Sequence, residues 1–246
     1  MKVDARPKLG ISGCLLGQKV RYDGGHKLNR YVTETLAEFF DLVSFCPEQA
    51  IGLPTPRNPI RLIAGPFGAD VRAVEIEDPA KDYSERLDRF GREFVGRIGD
   101  FSGCIVKKNS PSCGKDGVKV LERGNPSRRG SGLFTARLLA DRPELPVEEE
   151  GTLADPLLRE NFIGRVYVMC RWQELSARAL TKKKLLDFHA RHRSLIPNDE
   201  EEINLELSRL LSGLESIELA SVAPNYIRLL MHGLRGTVFK SEMVPE

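Results

Sequence analysis

The 246-residue sequence predicts an α/β fold, a mainly parallel sheet with helices on both faces, followed by a C-terminal helical domain. Two observations predict it. As far as Glu149, apolar runs of strand length alternate with segments whose apolar residues recur at helical spacing, which is the pattern of strands joined by helical crossovers. From Asp155 onward helix formers predominate and no strand-like run recurs. The expected division is an α/β domain over 1–154 and a helical domain over 155–246.

The elements follow in order. Lys8 to Leu16 reads as a short buried strand running into a glycine loop, and Asn29 to Asp41 as a helix with Val32, Leu36, Phe39 and Phe40 on one face. Leu42 to Phe45 is a second apolar run, ending at Cys46-Pro47. Arg61 to Ile63 and Ala73 to Ile76 are weaker strand candidates around a Gly/Pro-rich excursion. Asp82 to Ile98 reads as a helix through Tyr83, Leu87, Phe90, Phe94 and Val95. A strand is expected at Gly103 to Val106, a helix at Gly130 to Ala140 and a strand at Leu145 to Glu149. Helices are then expected over Leu157 to Leu180, Thr181 to Ser194, Glu200 to Leu219 and, after Pro224, Tyr226 to Leu234.

Composition narrows the function classes. An apolar content of 41% is ample for a buried core, and no stretch approaches the roughly 20 apolar residues of a membrane span. The start MKVDARPKLG has no apolar signal-peptide core, so a cytoplasmic protein without membrane contact is expected. Five cysteines are an odd number, which argues against a disulfide framework and for thiolate chemistry or metal binding. The net charge of +2 is unevenly placed. Arg171 to Arg193 holds seven Lys/Arg against Glu174 and Asp187, whereas Asp199 to Glu218 holds seven acids against Arg209 alone. The first of these segments could face an anion.

Three cysteines each end an apolar run inside a Gly/Pro-rich loop: Cys14 in ISGCLLG, Cys46 in VSFCPE and Cys113 in KKNSPSCG. In parallel α/β sheets ligands gather at the C-terminal ends of strands, and all three cysteines fall just past such ends. They are 32 and 67 residues apart, so only the folded chain brings them together, unlike a local C-x-x-C knuckle. Three thiolates suit a zinc site needing a fourth ligand or a 4Fe-4S cluster with one iron open; the bland alternative is three small buried residues. Cys104, inside GCIVK, and Cys170, inside VYVMCRW, read as buried packing.

The segments SGCLLGQKVRYDGGHK, FCPE and KKNSPSCG, in that order from about Leu9 to Leu145, resemble the thiouracil desulfidase family, the TudS-type domains. The resemblance implies a 4Fe-4S cluster on Cys14, Cys46 and Cys113, its fourth iron open to the sulfur of a thiolated pyrimidine, and a non-redox desulfuration. It places the catalytic glutamate at Glu48 and the catalytic serine at Ser110. Taken alone, Glu48 is a helix-start acid after Pro47 and Ser110 a turn hydroxyl before Pro111. Tyr22, Asp23, Gly24, Gly25 and His26 form a turn that lines a pocket or is only structural. Arg57, in TPRNPIRL, resembles a family position near the pocket, against the alternative of a surface arginine.

ALTKKKLLDFHARHR resembles the start of the YbgA-like helical domain fused behind such desulfidases, and this fusion is associated with removing sulfur from 4-thiouridine in transfer RNA. Here the segment after FHARHR departs from that pattern and reads as shortened or diverged. His189 and His192 share a helix face. The expected RNA contacts are Lys107, Lys108, Arg128, Arg129, Lys182, Lys183, Lys184, Arg191 and Arg193, because a basic surface faces phosphates. Two other functions compete with transfer-RNA desulfuration: the same chemistry on free thiouracil or its nucleosides, and a non-catalytic iron-sulfur sensor that binds nucleic acid.

Overall fold

The computed structural model describes residues 6–65, 70–97, 99–214 and 218–239. Four parallel strands form the central sheet in the order β2-β1-β5-β8, where β1 is Lys8–Ser12, β2 Asp41–Phe45, β5 Phe101–Val106 and β8 Val147–Glu149. A second sheet, order β4-β3-β6-β7, contains β3 (Ile60–Ala64), β4 (Val71–Glu75), β6 (Val118–Glu122) and β7 (Asn125–Gly130). Only its β3–β6 pairing is parallel; β3–β4 and β6–β7 are antiparallel.

The chain between β1 and β2 is a π-helical turn, Tyr31–Leu36, continued by α1 (Ala37–Phe39). A short helix, α2 (Pro47–Ala50), follows β2; α3 is Ser84–Arg97 and α4 Leu133–Asp141. The remainder is helical: α5 (Pro156–Ala177), α6 (Lys182–His192), α7 (Glu201–Ser212) and α8 (Leu219–Gly233). Among the described residues no helix is long and apolar enough to cross a membrane.

Both faces of the central sheet are covered. Leu9, Ile11 and Ile105 pack against Phe162, Ile163, Val166 and Tyr167 of α5 and against Val32 and Leu36. Approach is close here: a Cβ on Gly103 would stand 2.8 Å from Val166. On the opposite face Phe45, Phe94, Phe101 and Phe134 form a linked ring cluster with centroids 5.0 to 5.9 Å apart. Such pairs contribute roughly 0.5–1.5 kcal/mol each beyond area burial. They fix α3 and α4 beneath the loops that follow β2 and β5. Helix α5 starts on an Asp155 cap, whose Oδ1 accepts from the amides of Leu157 (2.8 Å) and Leu158 (3.2 Å), with Pro156 in the first turn. Helix α5 is therefore a layer of the central sheet.

Several boundaries differ from expectation, each for a local reason. The sequence reading lacks β6 and β7 and starts a helix at Gly130, where the structure has the last residue of a strand. Arg123 (φ 49°) and Gly124 (φ 86°) make the two-residue left-handed turn of a hairpin, and Pro126 and five exposed residues mark β7 as an edge strand. The last helix starts at Leu219, with Pro224 inside it. Position 224 is the sixth residue of the helix, where proline removes the amide that would bond the Ala220 carbonyl, and the buried Val222, Tyr226, Ile227 and Leu230 carry the helix through it. The helix expected to reach Leu219 ends at Ser212, residues 215–217 lying outside the described residues. Ile98 and most of the Gly/Pro-rich excursion, 66–69, also lie outside them.

Candidate active site

Parallel strands β2, β1 and β5 release their chains on one edge of the sheet, and each delivers one cysteine there. Cys14 sits in a 3-10 turn, Gly13–Leu16, directly after β1, and its carbonyl accepts from the Lys27 amide at 2.8 Å. Cys46 follows β2 as the residue before α2, with Pro47 opening the helix. Cys113 lies in the loop between β5 and β6. That loop supplies what the N-terminus of α4 lacks, because Gly132 has no capping side chain and the first helical amides need acceptors. Leu133 donates to the Pro111 carbonyl (3.1 Å), Phe134 to Ser112 (3.1 Å), and the Thr135 hydroxyl to the Cys113 carbonyl (2.6 Å). A Cβ on Gly132 would stand 2.5 Å from the Ser112 carbonyl carbon, so only glycine allows this approach.

All five cysteines are free thiols. Burial pushes Cys14 up to about 11 and also raises Cys46 and Cys113, and a charge on Cys46 raises both of the others. Lys107 and Arg21 act on Cys14 in the opposite sense, as do the hydroxyls of Ser12 and Ser112 on Cys113. Cys104 and Cys170 are buried as expected, Cys104 raised to about 12 by burial inside the sheet.

Glu48, two residues past Cys46, is clamped on both oxygens. Arg57 holds its Oε2 through Nε (2.8 Å) and Nη2 (2.7 Å), and Ser112 Oγ donates to Oε1 (2.7 Å). The remaining Arg57 donors reach the carbonyls of Val20 (2.9 Å) and Pro54 (3.1 Å) and the Thr55 hydroxyl (3.2 Å). Its side chain is 5% exposed, so the surface-arginine alternative is overturned. Ser110 does not contact Glu48 directly. Its oxygen accepts from the amides of Ser112 (3.3 Å) and Cys113 (3.1 Å) and pairs with Ser112 Oγ at 3.0 Å, so it reaches Glu48 through Ser112. The sequence reading passed over Ser112, although SPSC carries two serines.

The YDGG turn is a local structure: Asp23 Oδ1 accepts from Gly25 (3.0 Å), Gly24 is left-handed (φ 74°), and His26 Nδ1 accepts from Leu28 (3.2 Å). The Tyr22 carbonyl takes the Arg57 amide at 2.9 Å, which ties this turn to the Glu48 pair.

The basic residues divide into two groups. Lys107 is ion-paired with Glu150, while Lys108 is exposed on the cysteine loop. Arg128 and Arg129 lie on β7, and Arg129 reaches the Gly117 carbonyl (3.2 Å) at the end of that loop. The α6 group is elsewhere. Gln173 of α5 donates to the carbonyl of Phe101, the first residue of β5 (2.7 Å), so α5 ends at the opposite edge of the sheet. Lys184 caps that end through the carbonyls of Arg178 (2.8 Å) and Ala179 (3.1 Å). Lys182, Lys183 and Lys184 thus stand about the length of a 22-residue helix, some 33 Å, from Pro156. Arg191 and Arg193 are exposed at the other end of α6, whose Phe188 packs on Trp172 in the same remote half of α5.

A parallel α/β sheet with three free cysteines and a clamped glutamate on one strand edge defines a thiol-bearing α/β protein with a carboxylate beside its sulfurs. Residues 9–150 match the 2-thiouracil desulfurase family over more than half the chain, and the protein belongs to that family. It is similar to the uncharacterized protein YbbK of Bacillus subtilis (strain 168), 31% identical over 137 residues, covering 52% of this chain and 87% of that one. A solved structure of a 4Fe-4S-dependent thiouracil desulfidase, TudS (DUF523Vcz), is 32% identical, covering 60% of this chain and 93% of that one, with a TM-score of 0.48.

Proposed function

We propose that this protein removes sulfur from a thiolated pyrimidine without net redox change, using a 4Fe-4S cluster on Cys14, Cys46 and Cys113 with one iron open. The donor set fits such a group. Three soft thiols follow separate strands onto one edge, with the cations Arg21 and Lys107 favouring the thiolate of Cys14 and Arg57 that of Cys46. When bound, the cluster supplies a thiophilic Lewis acid for the substrate's sulfur.

The observation that carries the reading is Glu48, held beside Cys46 with both oxygens engaged by Arg57 and Ser112. Its carboxylate takes a proton from water attacking the thiocarbonyl carbon. A C–O bond forms, the proton held by Glu48 passes to sulfur, and the C–S bond breaks so that sulfur leaves as hydrosulfide with its electron pair while the new hydroxyl returns its proton to Glu48 and becomes the carbonyl. Ser110, through Ser112, orients the water or the ring.

The favoured substrate is 4-thiouridine in transfer RNA, with the exposed Lys108 and the neighbouring Arg129 as phosphate contacts beside the cysteine loop. Free thiouracil is the second reading, favoured by the remoteness of the α6 lysines. The test is anaerobic reconstitution with iron and sulfide, then the near-ultraviolet absorbance of 4-thiouridine in bulk transfer RNA and of free 4-thiouracil. Loss with transfer RNA that weakens steeply as salt rises supports the first reading. Loss with the free base alone, indifferent to salt, reassigns the substrate. Bound cluster with no loss from either refutes desulfuration and leaves the sensor.

A further inference from the structure

Three consecutive acids at the end of β8 grip the cysteine loop at both ends. Glu150 takes Lys107 Nζ and the Lys108 amide (2.7 Å) where the loop leaves β5. Glu149 takes the Lys115 amide (2.8 Å), and Glu148 takes Lys115 Nζ (2.9 Å), two residues past Cys113. Glu148 is held in turn from below. Arg165 of α5, only 8% exposed, donates from Nη2 to the same Glu148 oxygen (3.3 Å) and from Nε to Asn161 Oδ1 (2.8 Å). Asn161 Nδ2 then reaches the carbonyls of Leu234 and Thr237, each at 2.8 Å. The C-terminal segment is seated on the same helix turn: a Cβ on Gly164 would meet the Phe239 ring at 2.3 Å.

The geometry points to Arg165 as a positioning residue for the Cys113 loop, one that makes the docking of residues 234–239 a condition for holding the third cysteine in place. A buried guanidinium here is expensive unless every contact is made. The contacts run from the tail to the loop with no solvent-exposed link other than Lys115, which is partly covered. A helical appendage is thereby coupled to the site without touching substrate. This inference rests on Cys113 being a site residue.

The test is site-resolved alkylation of the apoprotein by N-ethylmaleimide, read by peptide mass mapping, with Cys46 as internal reference. In Arg165→Gln, Cys113 labelling should rise about tenfold over wild type, equivalent to a local opening made roughly 1.4 kcal/mol easier, while Cys46 stays unchanged. Arg165→Lys, which keeps the charge, should recover part of the protection. Lys115→Met removes the outer contact from a position that is not buried, and should give the same selective rise if Arg165→Gln does not fold. Unchanged Cys113 labelling in a cooperatively folded variant overturns the proposal, and so does an equal rise at both cysteines. Because the readout is the apoprotein, failure of the cluster to assemble would count against the proposed function and leave this result interpretable.

Discussion

At the scale of single residues, the informative feature is how completely Glu48 is specified. A carboxylate following Pro47 could swing into solvent, yet Arg57 takes one oxygen with two donors and Ser112 takes the other. A base needs this fixed orientation more than it needs exposure, because its reach to a proton is set by a few tenths of an ångström. Glu48→Gln should therefore lower desulfuration by about 10²–10⁴-fold, measured as loss of thiopyrimidine absorbance, while the visible absorbance of the reconstituted cluster is retained. Ser112→Ala leaves Glu48 Oε1 without its donor inside a mostly covered site; a cost of about 1–3 kcal/mol is expected, read as a lower urea midpoint at unchanged slope. Ser112 is also where sequence reading stopped short. Two serines two residues apart in a turn are equivalent as text, and only the path of the loop over the start of α4 turns one of them toward Glu48 and leaves the other capping backbone amides.

At the scale of elements, the support for Cys113 is the joint between its loop and α4. The helix start has no side-chain cap, and the loop carbonyls take that role, so loop and helix are each other's hydrogen-bond complement. Gly132→Val places side-chain atoms inside the Ser112 carbonyl, where backbone must move. Such overpacking should destabilise the fold by about 1–3 kcal/mol and slow or prevent assembly of the cluster, measured by thermal unfolding and by iron content after reconstitution. The three strand ends before the cysteines were legible because each apolar run gives way to a loop containing Gly or Pro, marking a strand end without any knowledge of pairing. The β6–β7 hairpin was not, although Val118 and Val120 are buried around the exposed Lys119, and Arg123-Gly124 forms the turn. Its outer strand is almost wholly exposed, so it lacks the alternation that identifies a half-buried strand. Pro224 misled for the opposite reason: it punctuates the text but falls in the opening turns of α8.

At the scale of the whole molecule, α5 connects the two ends. It begins beside the acids that hold the cysteine loop and ends against the aromatic centre of the helical segment, where Trp172, Phe188 and Tyr226 pack at centroid distances of 5.4 to 6.3 Å. The two histidines read as sharing one helix face are built into this centre. His192 is buried, its Nδ1 donates to the Phe188 carbonyl at 2.8 Å, and its ring lies 4.1 Å from that of Phe188. Burial holds both His189 and His192 below the ordinary value of 6.5, and Arg193 and Arg171 add to the effect. The direction of the pH dependence follows. Below 6.5 the unfolded chain binds protons that the folded chain refuses, so stability is complete above that value and is lost as pH falls from it toward the depressed folded values. Carboxylates that are ion-paired in the fold, such as Asp82 and Asp88, withdraw their contribution only at lower pH, below their ordinary 3.8. The unfolding temperature should therefore decline already as pH falls below 6.5, before acid denaturation of the carboxylates, and His192→Leu should make that limb shallower, since it removes one of the two proton-binding differences and leaves that of His189, while keeping an apolar group against Phe188. A His192→Leu protein whose unfolding temperature still falls as steeply as wild type below that pH would show that the acid sensitivity does not come from His192.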